Sequence, residues 1–328
     1  YCKDAFEGLD TVNALADPGQ RDPLVEKSKR EAFEFKSKAA EMEQRAVDSS
    51  ARQRDFKATV TRDVPVPPPP FWGARVTTPR DVSFEGMFAG MDLKTLYRLH
   101  WGARGSGADV DRLIREQFEP LRARLQRESE QKGWIKPGAV YGFFPAQSDG
   151  QDLVVYDAGV FAPGSLTARG KIEEVLRFTF PRQADREGLC LSDYFLPVES
   201  SKFDVLALQV VTVGPYVDEL GAALDQRGEY AESLYVHGLG VAAAEGLAEW
   251  HHGKIRGELG IESERGKRYS FGYSACPDLA DQAKLFQLLA PEEAIGVTLT
   301  SAYQLVPEAS TTALIVHHPQ ASYYMVRE

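Results

Sequence analysis

The sequence lacks several features that would each point to a particular class of protein. Cysteine occurs only at Cys2, Cys190 and Cys276, which excludes a Cys-rich zinc module and is typical of a reducing cytoplasm. No run of about 18 apolar residues is present, so no membrane-spanning helix is predicted. The formal net charge of -10 argues against a nucleic-acid surface, which needs clustered lysine and arginine. We therefore expect a cytoplasmic protein with neither a membrane nor a nucleic-acid partner.

Motifs for common enzyme chemistry are also missing. Neither G-x-G-x-x-G nor G-x-x-x-x-G-K-[ST] occurs, so no phosphate cradle is predicted. There is no G-x-S-x-G nucleophile elbow, and Cys276 is followed by Pro277 rather than standing in a recognisable dyad. A free cysteine is most often a small buried hydrophobe. The sequence therefore nominates no catalytic residue.

Two histidine-containing patterns raise the question of a metal site. Glu245, Glu249 and His252 lie at i, i+4 and i+7, on one face of a predicted helix. The E-x-x-H within them is the spacing of di-iron bundles, which need a second such motif and two further carboxylates. No other histidine supplies that motif, so we predict no metal and expect a solvated face or the polar wall of a pocket. His317 and His318 end an apolar strand, and we expect turn residues with satisfied ring nitrogens.

The chain divides into three predicted parts. Residues 1–55 show helical apolar spacing and then a stretch rich in Lys, Glu, Arg and Ala, which predicts a helical extension. Five prolines between Pro65 and Pro70 predict a stiff extended linker over residues 56–70, and residues 71–328 predict a compact domain. The first residues, "YCKDAFEGLD", include no initiator methionine and read as the end of a helix. We therefore expect this chain to be a piece of a longer protein.

Strands and helices are mixed without strict alternation after the prolines. The segment "GAVYGFFPAQSDGQDLVVYD" predicts a β-hairpin that turns at residues 148–150. "KFDVLALQVVTVG" predicts a buried strand, and residues 217–261 predict either a helix pair or one kinked helix. The pattern favours an α+β fold: a mixed, largely antiparallel twisted sheet flanked by helices, with the N-terminal helical extension.

The stretch "KRYSFGYSACPD", residues 267–278, combines Arg268 with aromatic residues around Gly272. It looks like a loop that enters a helix. It could be an aromatic plug that closes a core, with Arg268 paired to a surface acid. It could equally be a cradle for a small molecule that is both charged and aromatic. Tyr323 and Tyr324, in "QASYYMVRE", predict either a strand with one ring on each face or an ordinary aromatic edge.

Several motifs together resemble one protein family. "RYSFGYSACPD" followed by a helix, and then "TLTSAYQLVPEASTTALIVHHPQASYYMV", resemble the C-terminal activation domain of cobalamin-dependent methionine synthases. "GAVYGFFPAQ", "LCLSDYF" and "AAAEGLAEW" stand in the order expected for that family, so the resemblance is spread over residues 71–328. "KDAFEGLDTVNAL" looks like the tail that follows the family's cobalamin-binding module.

The resemblance implies a site for S-adenosylmethionine, whose methyl group is donated to cob(II)alamin in reductive reactivation. It also implies two partners: the cobalamin-binding module of the same full-length chain and a flavodoxin-like electron donor. Arg268 matches the arginine that holds the ligand's carboxylate, and Glu245 matches the helix acid that takes its ammonium group. The remaining matches are the loop residues Gly272, Tyr273 and Ala275, and the pair Tyr323 and Tyr324 near the adenosine and sulfonium.

The resemblance therefore implies a methyltransferase fragment that is not competent alone for methionine synthesis, since the family's zinc belongs to a separate homocysteine module. Two alternatives stay open: a separate reactivation subunit for another corrinoid protein, and a non-catalytic S-adenosylmethionine-sensing module. The chain departs from the family pattern at His100, where an acid usually precedes the tryptophan. It also departs at Val241-Ala242, Leu279 and Glu308, and these changes affect the expected cobalamin-facing contacts more than the S-adenosylmethionine contacts.

Overall fold

The computed structural model describes residues 11–12, 14–17, 19, 21–30, 60–184 and 187–326. Residues 58–326 belong to one unit, and residues 1–57 with 327–328 belong to another. In the smaller unit, residues 11–12, 14–16, 19 and 21–30 are helical, and Asp17 lies at a bend. The rest of the predicted helical extension lies outside the described residues. The domain boundaries at residues 55 and 70 stay predictions.

The larger unit is built on a seven-stranded sheet, in which each pairing of neighbouring strands is antiparallel. The strand order is β4-β3-β2-β5-β9-β6, and β1 pairs with β2 beside β3; β7 and β8 form a separate two-stranded ladder. This sheet confirms the predicted largely antiparallel α+β class. The strands are β1 (Gly73–Thr77), β2 (Gly138–Asp149), β3 (Asp152–Tyr156), β4 (Glu174–Thr179), β5 (Asp204–Thr212), β6 (Lys267–Tyr269), β7 (Thr298–Leu299), β8 (Leu305–Val306) and β9 (Ser310–Val316).

The two strands that were clearest in the sequence form the middle of the sheet. β2 and β3 make the predicted hairpin, with Asp149 opposite Asp152 and Gly150 in the left-handed conformation that a tight turn needs. All nine residues of β5 are buried, because β5 is flanked by β2 and β9 and both of its faces are covered. A continuous apolar run is the sequence pattern expected for such a strand.

The helices cover the sheet and flank the site. The region predicted as a helix pair or a kinked helix is a pair, α4 and α5, separated by a turn in which Gly228 has a φ of 76°. The 29-residue α5 buries Leu239, Ala243 and Leu247 on its inner face. The α-helices of five or more residues in the described part of the larger unit are α1 (Phe84–Ala89), α2 (Ala108–Leu113), α3 (Glu119–Lys132), α4 (Tyr216–Gln226), α5 (Tyr230–Glu258), α6 (Asp281–Leu289) and α7 (Pro291–Ile295). A single α-helical turn, Leu93–Thr95, continues into the π-helical segment Leu96–His100, and a second π-helical segment, Ile114–Phe118, joins α2 to α3.

Helices α1 and α5 cross in close contact at Gly246. A Cβ added there would lie against the backbone carbonyl oxygen of Met87, well inside van der Waals contact. Neither backbone can move away easily, since Met87 and Leu247 are fully buried. The crossing holds α5 in the position from which the neighbouring Glu245 projects.

Two glycine-to-alanine variants of α5 are expected to change stability in opposite directions. Gly246→Ala should lower the free energy of unfolding by about 2 kcal/mol, because the added methyl overpacks the helix crossing. Gly253→Ala should raise it by about 0.5 kcal/mol, since that position is open and alanine loses less entropy than glycine on forming a helix. Urea unfolding followed by circular dichroism measures both values. Equal shifts in the two variants would contradict the close crossing.

Within the larger unit, residues that precede β1 bond to residues near the C-terminal end of the chain and to Arg265. The backbone amide of Thr61 donates to Gln320 Oε1 at 2.9 Å, and the Thr61 carbonyl oxygen lies 2.9 Å from His318 Nε2. The Arg265 guanidinium donates to the carbonyl oxygen of Pro65 at 2.8 Å. The two bonds of Thr61 attach part of the predicted linker to the chain segment that continues to Tyr323.

The paired histidines have hydrogen-bonding partners, as predicted. His317 Nε2 lies 2.6 Å from Asp204 Oδ1, and its other ring nitrogen lies 3.3 Å from an Arg265 nitrogen. Both histidines are buried. Their role is to hold the end of β9 in place.

Among the described residues, no helix has the length and apolar character needed to cross a lipid bilayer.

Candidate functional site

Strand β6 positions Arg268 at the edge of the sheet. Arg268 pairs with Ile315 of β9, so its backbone is fixed by the ladder. The sequence predicted a loop here. That prediction is wrong for residues 267–269, because they pair with the edge of β9 and form a short strand. A side chain on a paired strand is oriented more firmly than one on a free loop.

A tight loop follows β6 and forms one wall of the site. The backbone amide of Gly272 donates to the Cys276 carbonyl oxygen at 2.9 Å, and the Cys276 amide donates back to Tyr273 at 2.9 Å. Gly272 has a φ of 89°, a conformation that favours glycine. Burial raises the pKa of the Cys276 thiol to about 12. Cys276 is therefore an unreactive buried group, as predicted, rather than a nucleophile.

The C-terminal segment forms the opposite wall. The Tyr269 hydroxyl donates to the Ser322 carbonyl oxygen at 2.8 Å, and the amide of Val326 donates to the Ser274 hydroxyl at 2.6 Å. Gln183 Nε2 donates to the carbonyl oxygen of Met325 at 2.8 Å. Residues 321–326 are therefore held by side chains and are not part of a strand, which corrects the strand predicted around the tyrosine pair.

These walls enclose a pocket of 340 Å³, which we call the Arg268 pocket. This volume lies in the range of small-molecule sites. Aromatic rings and one charged pair dominate the lining. The lining residues are Glu245, Arg268, Tyr269, Ser270, Tyr273, Ser274, Ala275, Cys276, Tyr323, Tyr324 and Met325.

The charged part of the pocket is an ion pair between β6 and α5. Arg268 Nη2 donates to Glu245 Oε2 at 2.8 Å, and the Arg268 side chain is only 16% exposed. Burial by itself lowers the pKa of Arg268, but the carboxylates of Glu245 and Glu249 outweigh burial and raise it. The guanidinium is therefore permanently charged and already has a carboxylate partner.

The aromatic part of the pocket has two exposed rings, Tyr273 and Tyr323, and two tyrosines whose hydroxyls are buried, Tyr269 and Tyr324. Tyr323 is 69% exposed and its ring lies 5.6 Å from that of Tyr269, edge to face. Burial raises the pKa of Tyr269 and of Tyr324 well above the ordinary value, so both stay neutral. The buried hydroxyl of Tyr324 has no hydrogen-bond partner among the described residues. Tyr323 and Tyr324 thus differ in exposure, although they are not in a strand.

The structure brings together six of the seven residues that the sequence predicted for the site. Gly272 is the exception: it shapes the loop but does not line the pocket. The six lining residues are Glu245, Arg268, Tyr273, Ala275, Tyr323 and Tyr324.

Sequence reasoning missed several residues of the lining. Tyr269, Ser270 and Ser274 lie between Arg268 and Ala275, Cys276 follows Ala275, and Met325 follows the tyrosine pair. Their proximity in sequence was the available signal. The buried bond from Tyr269 to the C-terminal segment could not be read from the sequence, because it joins chain segments 53 residues apart.

The helix face that carries Glu245 differs in part from the predicted solvated face. Glu245 and Glu249 are about half exposed, with side chains at 48%. His252 is buried, which corrects the expectation of a solvated residue. Neither ring nitrogen of His252 has a hydrogen-bond partner in the described part of the chain. Within that part, no group of three or more His, Cys, Asp or Glu could hold a metal ion.

A larger groove of 1220 Å³ lies along α3, α4 and the start of α5. Both arginines in its lining are already paired: Arg124 donates to both carboxylate oxygens of Glu232 at 2.8 and 2.9 Å, and Arg227 donates to Glu229 at 2.7 Å. The Arg124 side chain is 40% exposed, so the groove offers no buried charge comparable to Arg268. We therefore assign the candidate site to the Arg268 pocket.

Comparison with known proteins gives a consistent result. A family model described as "Vitamin B12 dependent methionine synthase, activation domain" matches residues 87–328. Methionine synthase from Mycobacterium tuberculosis is 34% identical over an alignment 366 positions long, and that from Mycobacterium leprae is 35% identical over 369 positions. Both alignments cover 99% of this chain but only 30% and 29% of the relatives. The chain therefore spans less than a third of their length.

A solved structure has the same fold. It is described as the crystal structure of the MetH reactivation domain bound to AdoHcy. The TM-score is 0.71, and the match covers 85% of this chain and 89% of that chain. Sequence identity is 22%, so this likeness establishes the architecture.

Proposed function

Because this chain belongs to the family of vitamin B12-dependent methionine synthase activation domains, we propose that its Arg268 pocket binds S-adenosylmethionine. The domain then presents the sulfonium methyl group to the cobalamin of a neighbouring module, in reductive reactivation of the cofactor. The observation that carries this proposal is the meeting of Arg268, Glu245 and the tyrosine pair in one pocket of 340 Å³.

The chemistry of the pocket matches the two ends of the proposed ligand. The amino-acid end carries a carboxylate and an ammonium group, which suit the guanidinium fork of Arg268 and the carboxylate of Glu245. The sulfonium is a cation, and the face of an electron-rich ring such as that of Tyr323 attracts cations. The pocket therefore offers a complementary group for each charge on S-adenosylmethionine.

In this proposal the domain contributes positioning. The methyl group moves from sulfur to reduced cobalt, and S-adenosylhomocysteine leaves; one electron from a flavodoxin-like donor reduces cob(II)alamin first. Holding the sulfonium carbon in line with the acceptor replaces a random encounter by an oriented one. Transfer to a cobalt nucleophile releases no proton, so the reaction needs no general base from this chain.

The proposed partners are parts of a larger assembly. We propose residues 71–328 as the S-adenosylmethionine-binding domain, residues 56–70 as its linker, and residues 1–55 as the tail of a cobalamin-binding module. The greater length of the relatives supports a cobalamin module in the same full-length chain rather than a separate reactivation subunit. Methionine synthesis from homocysteine and methyltetrahydrofolate would then be an activity of the whole protein.

The proposal predicts binding by this chain and methyl transfer only with added cobalamin protein. The 328-residue chain should bind S-adenosylmethionine with one site by calorimetry. With a cobalamin-binding module and a strong reductant, methyl-labelled S-adenosylmethionine should yield labelled methylcobalamin. Heat-denatured chain serves as the control. Binding without transfer would favour a non-catalytic sensing module, and absence of binding would refute the proposal.

A further inference from the structure

Arg268 is held by two carboxylates at different atoms of its guanidinium group. Nη2 bonds to Glu245 at 2.8 Å, and Nε contacts Glu249 Oε2 at 3.4 Å. Glu245 lines the Arg268 pocket, whereas Glu249 does not. One carboxylate is thus placed to meet a ligand, and the other is placed to hold the arginine.

Glu249 is in turn fixed by a second arginine. Arg256 Nη2 donates to Glu249 Oε1 at 3.1 Å, and Arg256 Nη1 donates to the Ser263 carbonyl oxygen. The Arg256 side chain is only 13% exposed, so it holds the Glu249 carboxylate in a fixed position. Glu245, Arg268, Glu249 and Arg256 form a row of alternating charge that starts at the pocket and continues along α5.

The surroundings of Glu249 keep it ionised. His252, whose Nδ1 lies 3.9 Å from Glu249 Oε2, and the charge of Arg268 together lower the pKa of Glu249 below its ordinary value. The contact at Arg268 Nε is therefore made by a full negative charge. A charged acceptor forms the stronger class of hydrogen bond.

Binding of an amino-acid ligand requires an exchange of partners in this row. If the ligand's carboxylate takes the Nη edge of Arg268, the bond from Nη2 to Glu245 must open. The freed Glu245 carboxylate then accepts the ligand's ammonium group. One internal ion pair is replaced by two pairs to the ligand, and the amino-acid end of the ligand adds no net charge to the row.

We propose that Glu249 is a positioning residue that holds Arg268 by its Nε edge while the Nη edge changes partner. This inference rests on the proposed function, because it concerns recognition of the amino-acid end of S-adenosylmethionine. Glu249 thereby makes the pocket selective for ligands that carry a carboxylate. Without Glu249, the Arg268 guanidinium would move with Glu245 or turn toward solvent. The ligand's carboxylate would then meet a guanidinium that has no fixed orientation.

The test compares two ligands that differ only in the carboxylate. Decarboxylated S-adenosylmethionine keeps the adenosine, the sulfonium and the ammonium group. Glu249→Gln should weaken binding of S-adenosylmethionine by about tenfold and change binding of the decarboxylated ligand by less than about twofold, since one charged hydrogen bond is weakened. Calorimetry on the 328-residue chain measures both affinities, by competition where the heats are small.

A matched control exists on the same helix. Glu232 also accepts two bonds from an arginine, Arg124, but it lies outside the Arg268 pocket. Glu232→Gln should leave both affinities unchanged. Arg256→Gln, which loosens Glu249 without touching Arg268, should reduce the preference for S-adenosylmethionine in the same direction as Glu249→Gln.

The outcomes separate this inference from the proposed function. If Glu249→Gln weakens both ligands equally, Glu249 has a merely structural role and the inference is overturned. If neither affinity changes, Glu249 does not position Arg268, and the inference is again overturned while the proposed function stands. If the wild-type chain does not bind S-adenosylmethionine, the proposed function itself fails.

Discussion

Arg268→Ala is expected to weaken S-adenosylmethionine binding by about 100-fold, because a bidentate bond between a guanidinium and a carboxylate combines two charged hydrogen bonds. The variant also leaves Glu245 and Glu249 without the cation they share. Their mutual repulsion then disfavours the arrangement that receives the ammonium group. Calorimetric titration of variant and wild type measures the loss.

Two further variants test the geometry behind this expectation. Arg268→Lys keeps the positive charge but loses the planar fork, so its affinity should fall between those of the wild type and Arg268→Ala. Arg124→Ala removes an arginine that also pairs with two glutamates, Glu128 and Glu232, and it should bind S-adenosylmethionine normally. Equal heats from Arg268→Ala and the wild type would remove Arg268 from the site.

Gly266→Ala is expected to lower the free energy of unfolding by about 3 kcal/mol, since it combines a left-handed backbone with a backbone clash. Gly266 has a φ of 81°, and an added Cβ would lie against the carbonyl oxygen of Val316. That oxygen belongs to β9, and Val316 pairs with the next residue, Lys267. Relief of the clash must therefore separate β6 from β9 at the position that carries Arg268. Chemical denaturation measures the stability.

Gly260→Ala separates the two causes. Gly260 has a φ of 63°, but nothing lies within 4 Å of an added Cβ. It should therefore lose only about 1 kcal/mol of unfolding free energy, which is the cost of the left-handed backbone. S-adenosylmethionine affinity should fall in Gly266→Ala and remain normal in Gly260→Ala. Similar stabilities of the two variants would mean that β6 accommodates a methyl group beside β9.

The sequence predicted the centre of the fold better than its edges. The hairpin of β2 and β3, the buried β5 and the pair α4 and α5 each have a local pattern that matches their environment. The short β6 has no such pattern, since three residues are too few to show a period. It is a strand because β9 offers an unpaired edge.

The candidate site was predictable to the extent that its residues are neighbours in the sequence. The loop that holds Tyr273 and Ala275 and the segment that holds Tyr323 and Tyr324 both stood out as motifs, and the family resemblance linked them to Glu245. No feature of the sequence indicated that Glu249 contacts Arg268. Its contact with Arg268 depends on how α5 lies across β6, which local periodicity does not describe.

The sequence by itself determined the class of fold, the residues that form the sheet's centre, and six of the residues that meet in the pocket. The strands and helices follow from local pattern, because burial gives each a characteristic spacing of apolar residues. The site residues follow from motifs that stand in the order of the family. Only the tertiary structure decided that Arg268 already has two carboxylate partners and that His252 is buried. Contacts of this kind join elements whose relative placement is set by packing of the whole core, so no short stretch of sequence contains them.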